Sequence, residues 1–269
     1  STGGTADTPP SALAHLEEIL GSGRRPALFL DYDGTLTPIV ERPDQATLSG
    51  PMRGVLDRLR RLCPVAVISG RDLADVRGLI DIPEVWYAGS HGFDIAGPHG
   101  ERGSPGEIDD FLPVLDGAER ELRERLRAID GCLVERKRFA IAVHYRRVAE
   151  GALETVRQTV EQVHDRCSAL RLSGGKKIHE LQPDIEWDKG RALQWLMQRQ
   201  DLNPAEVLPI YIGDDVTDED AFRVLAGQGI GILVSRAPGE TLAAYRLDDP
   251  AAVEKFLGHL ADSLAGAGR

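Results

Sequence analysis

Cysteine is scarce in this chain. Of 269 residues only three are Cys, at positions 63, 132 and 167, an odd number at wide spacing with no Cys-x-x-Cys. A disulfide framework and a thiolate zinc site are therefore not expected, and a reducing compartment fits, so the cytoplasm is the expected location. Long apolar runs are also missing, which argues against any membrane-spanning segment. Positive charge is in deficit: 32 Lys plus Arg against 43 Asp plus Glu leave a formal net charge of -11. Nucleic acid is thereby an unexpected partner, because such binding needs a basic footprint. The same field repels an anionic substrate, so a phosphate site in this chain requires local positive charge or a metal. Residues 1–10 are small, polar and Pro-containing. They lack the charged and apolar regions of a signal peptide and read as a disordered lead-in.

What remains is an ordinary globular composition, with 42% hydrophobic and 28% charged residues, and enough length for one large or two smaller domains. Three segments share one design: a short apolar run followed by polar residues. Ala27–Leu30 leads to Asp31, Val65–Ile68 to Ser69-Gly70-Arg71, and Val207–Ile212 to Gly213-Asp214-Asp215. Runs of this kind suit strands buried on both faces, as in a parallel sheet. Helical patterns separate them: Met52–Leu62, Leu73–Ile80, Trp187–Gln200 and Val253–Leu264. The alternation predicts an α/β doubly wound core, whose ligands bind beyond the carboxyl ends of the strands. The middle of the chain changes character. After the Gly/Pro-rich stretch Gly97–Gly106 comes a helical pattern (Leu115, Ala118, Leu122, Leu126), then an alternating, half-exposed hairpin over Leu133–Tyr145 and a further helix around Leu153–Val163. Two more strands, Ala169–Leu172 and Lys177–Leu181, are expected around a Ser173-Gly174-Gly175 turn. We read residues 104–182 as an α+β unit inserted between two halves of the core, 11–103 and 183–269, with Gly97–Gly106 and Gln182-Pro183 as hinge candidates.

The chemistry gathers at the strand ends. Asp31 and Asp33, one residue apart at the exit of a buried strand, repel each other and lose solvation. A divalent cation, a shared proton or a phosphoryl group would relieve them; a solvated Asp-rich turn is the competing reading. Gly213-Asp214-Asp215-Val216-Thr217-Asp218-Glu219-Asp220 carries five acids in seven residues, an oxygen-only donor set suited to a hard cation such as Mg²⁺. Some of these acids are expected to cap the following helix instead. Ser69-Gly70-Arg71 offers a hydroxyl, an N–H and a helix start to phosphate oxygens. Lys189, in the first turn of its helix, supplies a balancing charge.

In the order Asp31-x-Asp33-Gly34-Thr35, Ser69-Gly-Arg, Lys189 and Gly213-Asp-Asp-x-x-Asp, these segments resemble the four motifs of the haloacid-dehalogenase-like (HAD) phosphatases. The insert lies where that superfamily carries a C2-type cap. Leu30–Ile39, Val67–Arg71, Gly89-Ser-His-Gly92, Trp187-Asp-Lys-Gly190 and Gly213–Asp220 further resemble the trehalose-6-phosphate phosphatases. One departure is Glu180-Leu-Gln-Pro183, where an Arg often precedes the Pro.

The resemblance implies metal-assisted phosphoryl transfer to Asp31, with Asp33 as acid and then base. Ser69 and Lys189 would hold the phosphoryl oxygens, with Gly34, Thr35, Gly70 and Arg71 also on the substrate. It implies Mg²⁺ held by Asp31, the Asp33 carbonyl and Asp214, supported by Asp215 or Asp218. In the cap, Glu135, Lys137, His144, Arg146 and Glu180 match sugar-contacting positions. His91 reads as a structural hydrogen-bonder, and Trp86, Trp187 and Trp195 as packing residues. The expected partner is a small sugar phosphate and the expected state a monomer. Another sugar phosphate, such as sucrose phosphate or a phosphoglycerate glycoside, and a catalytically silent phosphosugar sensor are the alternatives.

Overall fold

The computed structural model describes residues 7–106 and 108–267. Its larger sheet contains β1 (Arg25–Leu30), β2 (Val65–Ile68), β3 (Trp86–Gly89), β4 (Asp94–Ala96) and β5 (Arg102–Gly103). Its smaller sheet contains β6 (Leu133–Lys137), β7 (Ala140–His144), β8 (Leu170–Gly175) and β9 (Ile178–Pro183). The chain then returns to the larger sheet with β10 (Val207–Gly213), β11 (Ile230–Val234) and β12 (Tyr245–Leu247). The helices are α1 (Leu16–Ile19), α2 (Gly50–Leu59), α3 (Leu73–Ile80), α4 (Leu112–Leu126), α5 (Leu153–Asp165), α6 (Lys189–Arg199), α7 (Glu219–Leu225) and α8 (Pro250–Ala267).

The larger sheet runs β12-β11-β10-β1-β2-β3-β4-β5, parallel from β12 to β3 and antiparallel beyond. Its central strands bury both faces. Leu28 and Leu30 of β1 join one apolar cluster with α2, α3 and α8, while Ala27 and Phe29 join another with α6 and α7. This two-sided burial is why the strands lack alternation. The chain proceeds outward from β1 to β2 and β3 on one side, and from β10 to β11 and β12 on the other. The strand order therefore reverses between β1 and β10, and that switch point opens a crevice at their carboxyl ends.

The second sheet, β6-β7-β9-β8, is antiparallel throughout. One face packs on α4 and α5 through Leu115, Leu122, Val156, Val160, Ile141 and Leu181. The opposite face is not the half-exposed one expected from the alternation: Ala140 and Ala142 are fully buried. That face looks at the crevice of the larger sheet, so its small residues make room rather than meet solvent. Phe139, at the β6–β7 turn, is buried with Phe93 and Ile108, and Trp187 packs alongside, which joins the two sheets through an apolar contact.

Three local expectations change. Ser173-Gly174-Gly175 belongs to β8, and the turn is Lys176-Lys177, with Lys177 at φ 61°. Half of the Gly97–Gly106 hinge candidate is a hairpin closed by Gly97 N–H on the Glu101 carbonyl (3.0 Å), because β4 and β5 extend the larger sheet. Residues 1–6 of the lead-in lie outside the described residues; Pro10 accepts the Arg246 N–H at 2.9 Å beside β12. Among the described residues no helix is long and apolar enough to cross a membrane.

Candidate active site

Asp31 continues the β1 ladder, its N–H donating to the Ile212 carbonyl at 2.9 Å, which leaves its carboxylate at the switch point. The chain then turns sharply, with Gly34 N–H on Thr37 O at 2.7 Å. Gly34 has φ 78°, and a Cβ there would lie 2.1 Å from Asp214 Oδ2, so only glycine fits between the two acidic loops. Thr35 donates to Asp31 Oδ2 at 3.3 Å. Lys189 arrives from the first turn of α6, which Asp188 caps by accepting the Arg191 N–H at 2.9 Å. Its ammonium is buried and donates to Asp31 Oδ1 (3.0 Å) and Asp218 Oδ1 (2.9 Å). Asp218, fully buried, also accepts from Tyr211 Oη and from the N–H groups of Asp214 (2.9 Å) and Asp215 (3.0 Å). Both of its oxygens are thus taken by protein donors, and Asp218 anchors the acidic loop. Asp215 caps the short turn that follows, accepting the Val216 N–H at 2.7 Å.

Carboxylate oxygens of Asp31, Asp214 and Asp218 come within 4.8 Å of one another. Burial and the neighbouring Asp218 and Asp214 push Asp31 well above the usual carboxylate range, against the pull of Lys189. Burial likewise raises Asp214. Lys189 is held well above its ordinary value, since Asp218 and Asp31 outweigh the effect of burial. Lys189 and Lys176 set two ammonium groups against three carboxylates, which still leaves negative charge on hard oxygen donors. These residues fit a divalent cation.

Asp33 lies beside the acidic cluster and is gripped by Arg71: Nε to Oδ2 and Nη2 to Oδ1, both 2.8 Å. Arg71 also donates to Asp75 (2.9 Å) and to the Pro43 carbonyl (2.7 Å). Four of the five N–H donors of a guanidinium are then used. Arg71, expected on phosphate, lines the cleft while gripping Asp33. Ser69-Gly70-Arg71 does not open a helix as expected. α3 starts at Leu73, with Asp72 as its N-terminal neighbour. The Asp72 carboxylate is drawn away by Arg138 N–H at 2.6 Å, across to the smaller sheet. The Ser69 hydroxyl accepts the Arg71 N–H at 3.0 Å. Asp31, Asp33, Gly70, Arg71, Lys189, Asp214 and Asp215 line the cleft, and Gly34, Thr35, Ser69 and Asp218 adjoin them through the chain or by hydrogen bond.

The cleft, about 170 Å³, is closed from above by the smaller sheet, which contributes Glu135, Lys137, His144, Arg146 and Glu180. Lys137 Nζ bridges Glu180 Oε2 (3.3 Å) and the Gly70 carbonyl (2.7 Å). Burial works against ionisation of Glu180, but Lys137 and His91 more than offset it and hold the carboxyl down at about 2. Glu135 pairs with His144 at 2.7 Å; despite burial, that contact and Lys137 lower it below the ordinary range. Arg146 is exposed at the rim, reaching the Lys176 carbonyl at 3.3 Å.

Two residues outside the expected set lie at the centre of the arrangement. Lys176 Nζ is 2.6 Å from Asp214 Oδ2, a direct ion pair from the smaller sheet to the acidic cluster. His91 Nε2 is 2.9 Å from Glu180 Oε1. The available signals were faint: a Lys-Lys pair after two glycines, and a lone His beside Gly92.

A two-sided parallel sheet, carboxylates at the switch point and an inserted antiparallel unit together define a protein of the HAD-like fold class. The trehalose-phosphatase family profile matches residues 29–251. A probable trehalose-phosphate phosphatase D of Arabidopsis thaliana is 44% identical over 94% of this chain and 72% of its own length. An uncharacterized glycosyl hydrolase of Mycobacterium tuberculosis is 46% identical over 97% of this chain, which spans only 20% of that protein's length. The solved C-terminal domain of Candida albicans trehalose-6-phosphate phosphatase superposes with a TM-score of 0.82 at 25% identity, covering 96% of this chain and 99% of that one. The chain belongs to the trehalose-phosphatase family.

Proposed function

We propose that this chain hydrolyses trehalose 6-phosphate to trehalose and phosphate, with Mg²⁺ as cofactor and an aspartyl-phosphate on Asp31 as intermediate. The observation that carries the reading is one cleft with two walls: Asp31 and Lys189 below, Glu135, Lys137 and Glu180 above. Asp31 attacks phosphorus; its bond to phosphorus forms as the bond from phosphorus to the sugar oxygen breaks. Asp33 gives its proton to that oxygen. It then takes a proton from the water that attacks the phosphoryl group and frees Asp31. To carry a proton Asp33 must leave the Arg71 fork, which favours its anion. Lys189, with the Ser69 hydroxyl whose proton remains to be donated, holds the phosphoryl oxygens as charge builds on them. When bound among Asp31, Asp214 and the Asp33 carbonyl, Mg²⁺ supplies Lewis-acid charge that keeps Asp31 ionised and screens it from phosphate.

The upper wall supplies discrimination. Charged groups buried against a sugar reject a ligand that leaves them unpaired. Closure of the smaller sheet on the crevice also excludes bulk water from the acyl-phosphate. The test is phosphate release from trehalose 6-phosphate, sucrose 6-phosphate and glucose 6-phosphate, each with Mg²⁺ and with EDTA, beside Asp31→Asn. Release from trehalose 6-phosphate well above the others, lost in EDTA and in the variant, is expected. Preference for another sugar phosphate overturns the substrate, and release undiminished in EDTA overturns the cofactor.

A further inference from the structure

Ser90, His91 and Gly92 follow β3 with φ of 49°, 55° and 98°. Two adjacent non-glycine residues in the left-handed region are costly and persist only where the surroundings over-determine them. Here they do. Ser90 N–H donates to the Arg71 carbonyl (2.7 Å), His91 N–H to the Ser69 carbonyl (2.8 Å), and Trp187 Nε1 to the Gly92 carbonyl (2.8 Å). The loop is thereby bonded to the Ser69-Gly70-Arg71 segment on one side and to the approach to α6 on the other.

The effect is to lay the imidazole over Gly70, where a Cβ would come 2.5 Å from His91 Cε1. Nε2 then points across the seam to Glu180 Oε1 at 2.9 Å. Glu180 is 6% exposed. Its Oε1 and His91 Nδ1 are both buried without an aligned hydrogen-bond partner. Glu180 Oε1, held by His91 Nε2 on one side, keeps acceptor capacity in the cleft that both residues line, and a ligand hydroxyl would use it.

We propose that His91, though carried by the core, is a specificity-determining positioning residue that directs Glu180 Oε1 at a sugar hydroxyl. The sugar subsite is then complete only when the smaller sheet sits on the Gly70 loop, so recognition and closure are one event. This deepens the function proposed above and rests on it.

The experiment uses the full chain as wild type, His91→Asn, Glu180→Gln and the double variant. Asn is chosen because it tolerates positive φ. The value of kcat/KM is measured on the sugar phosphate the wild type prefers and on p-nitrophenyl phosphate, which has no sugar. Loss of a hydrogen bond to a charged group predicts a fall of about 10- to 100-fold on the sugar phosphate. For His91→Asn, activity on p-nitrophenyl phosphate stays within about two-fold, which also reports a folded core, and on the sugar phosphate the double variant is no worse than Glu180→Gln alone. Equal losses on both substrates, additive losses, or no loss overturn the proposal. Wild-type preference for a sugar phosphate other than trehalose 6-phosphate overturns the substrate but leaves the role of His91 to be read on that compound. Turnover of no sugar phosphate overturns both.

Discussion

Lys189 has one way to be buried: between Asp31 and Asp218, 3.0 and 2.9 Å away. Its removal would strand two carboxylates in low dielectric. Lys189→Met is therefore expected to lose about 3–5 kcal/mol of stability, the usual cost of breaking a buried pair, as well as phosphatase activity. Thermal unfolding checks the first part, and an unchanged Tm would contradict it. Glu180 behaves differently. Its folded value is depressed from 4.5 to about 2. The stability it contributes is thus full above pH 4.5 and is lost as pH falls toward 2. The stability gap between wild type and Glu180→Gln should narrow across that window in denaturant titrations; a gap that does not change with pH would contradict the assignment. At this scale the meeting of Asp31 and Asp214 was legible, because each follows an unbroken apolar strand, and Lys189 joins them from the start of its helix. The sequence was uninformative for Arg71, because a guanidinium beside a phosphate loop and one gripping Asp33 look alike until the fold brings Asp75 and Pro43 to it.

The turn between β8 and β9 carries Lys176 onto the acidic cluster. Lys176 is half-exposed, yet its ammonium meets the buried Asp214 carboxylate. A divalent cation at Asp214 must displace it. Lys176→Met is expected to bind Mn²⁺ several-fold more tightly than wild type by titration calorimetry, with Lys176→Arg close to wild type. Weaker or equal binding in Lys176→Met would contradict the competition. This turn was misread because Ser173-Gly174-Gly175 carries the stronger turn residues, whereas β8 continues through them to stay paired with β9. Strands β3, β4, β11 and β12 also went unread. They span three to five residues, too short for a period to stand out, and their place is set by neighbours in the sheet rather than by their own composition. The long elements, α4, α5, α6 and α8, were legible because each repeats an apolar face over several turns.

At the scale of the whole molecule, a net charge of -11 surrounds a site built for a phosphate ester. The fold resolves this by concentrating cations at the seam: Lys189 from below, Lys137, Arg146 and Lys176 from above. The two-sheet organisation was readable from the shift between unbroken and alternating apolar patterns. The closeness of the two sheets was not, since it depends on contacts over long sequence separations such as Lys137 to Gly70 and Phe139 to Phe93. Phe139→Ala, emptying that apolar joint, is expected to cost about 3–5 kcal/mol and to raise KM for the sugar phosphate more than for p-nitrophenyl phosphate; equal KM changes would contradict a role for the joint in closure. The division of labour proposed for the two walls rests finally on the proposed role of Asp31 as nucleophile. The most direct measurement is rapid acid quench of enzyme turning over trehalose 6-phosphate with Mg²⁺, followed by mass spectrometry of the peptide that contains Asp31. A phosphoryl group on Asp31, appearing before free phosphate reaches its steady rate and absent in Asp31→Asn, is the predicted result. Phosphate release by an Asp31→Asn enzyme, or a phosphoryl group trapped on another residue, would contradict it.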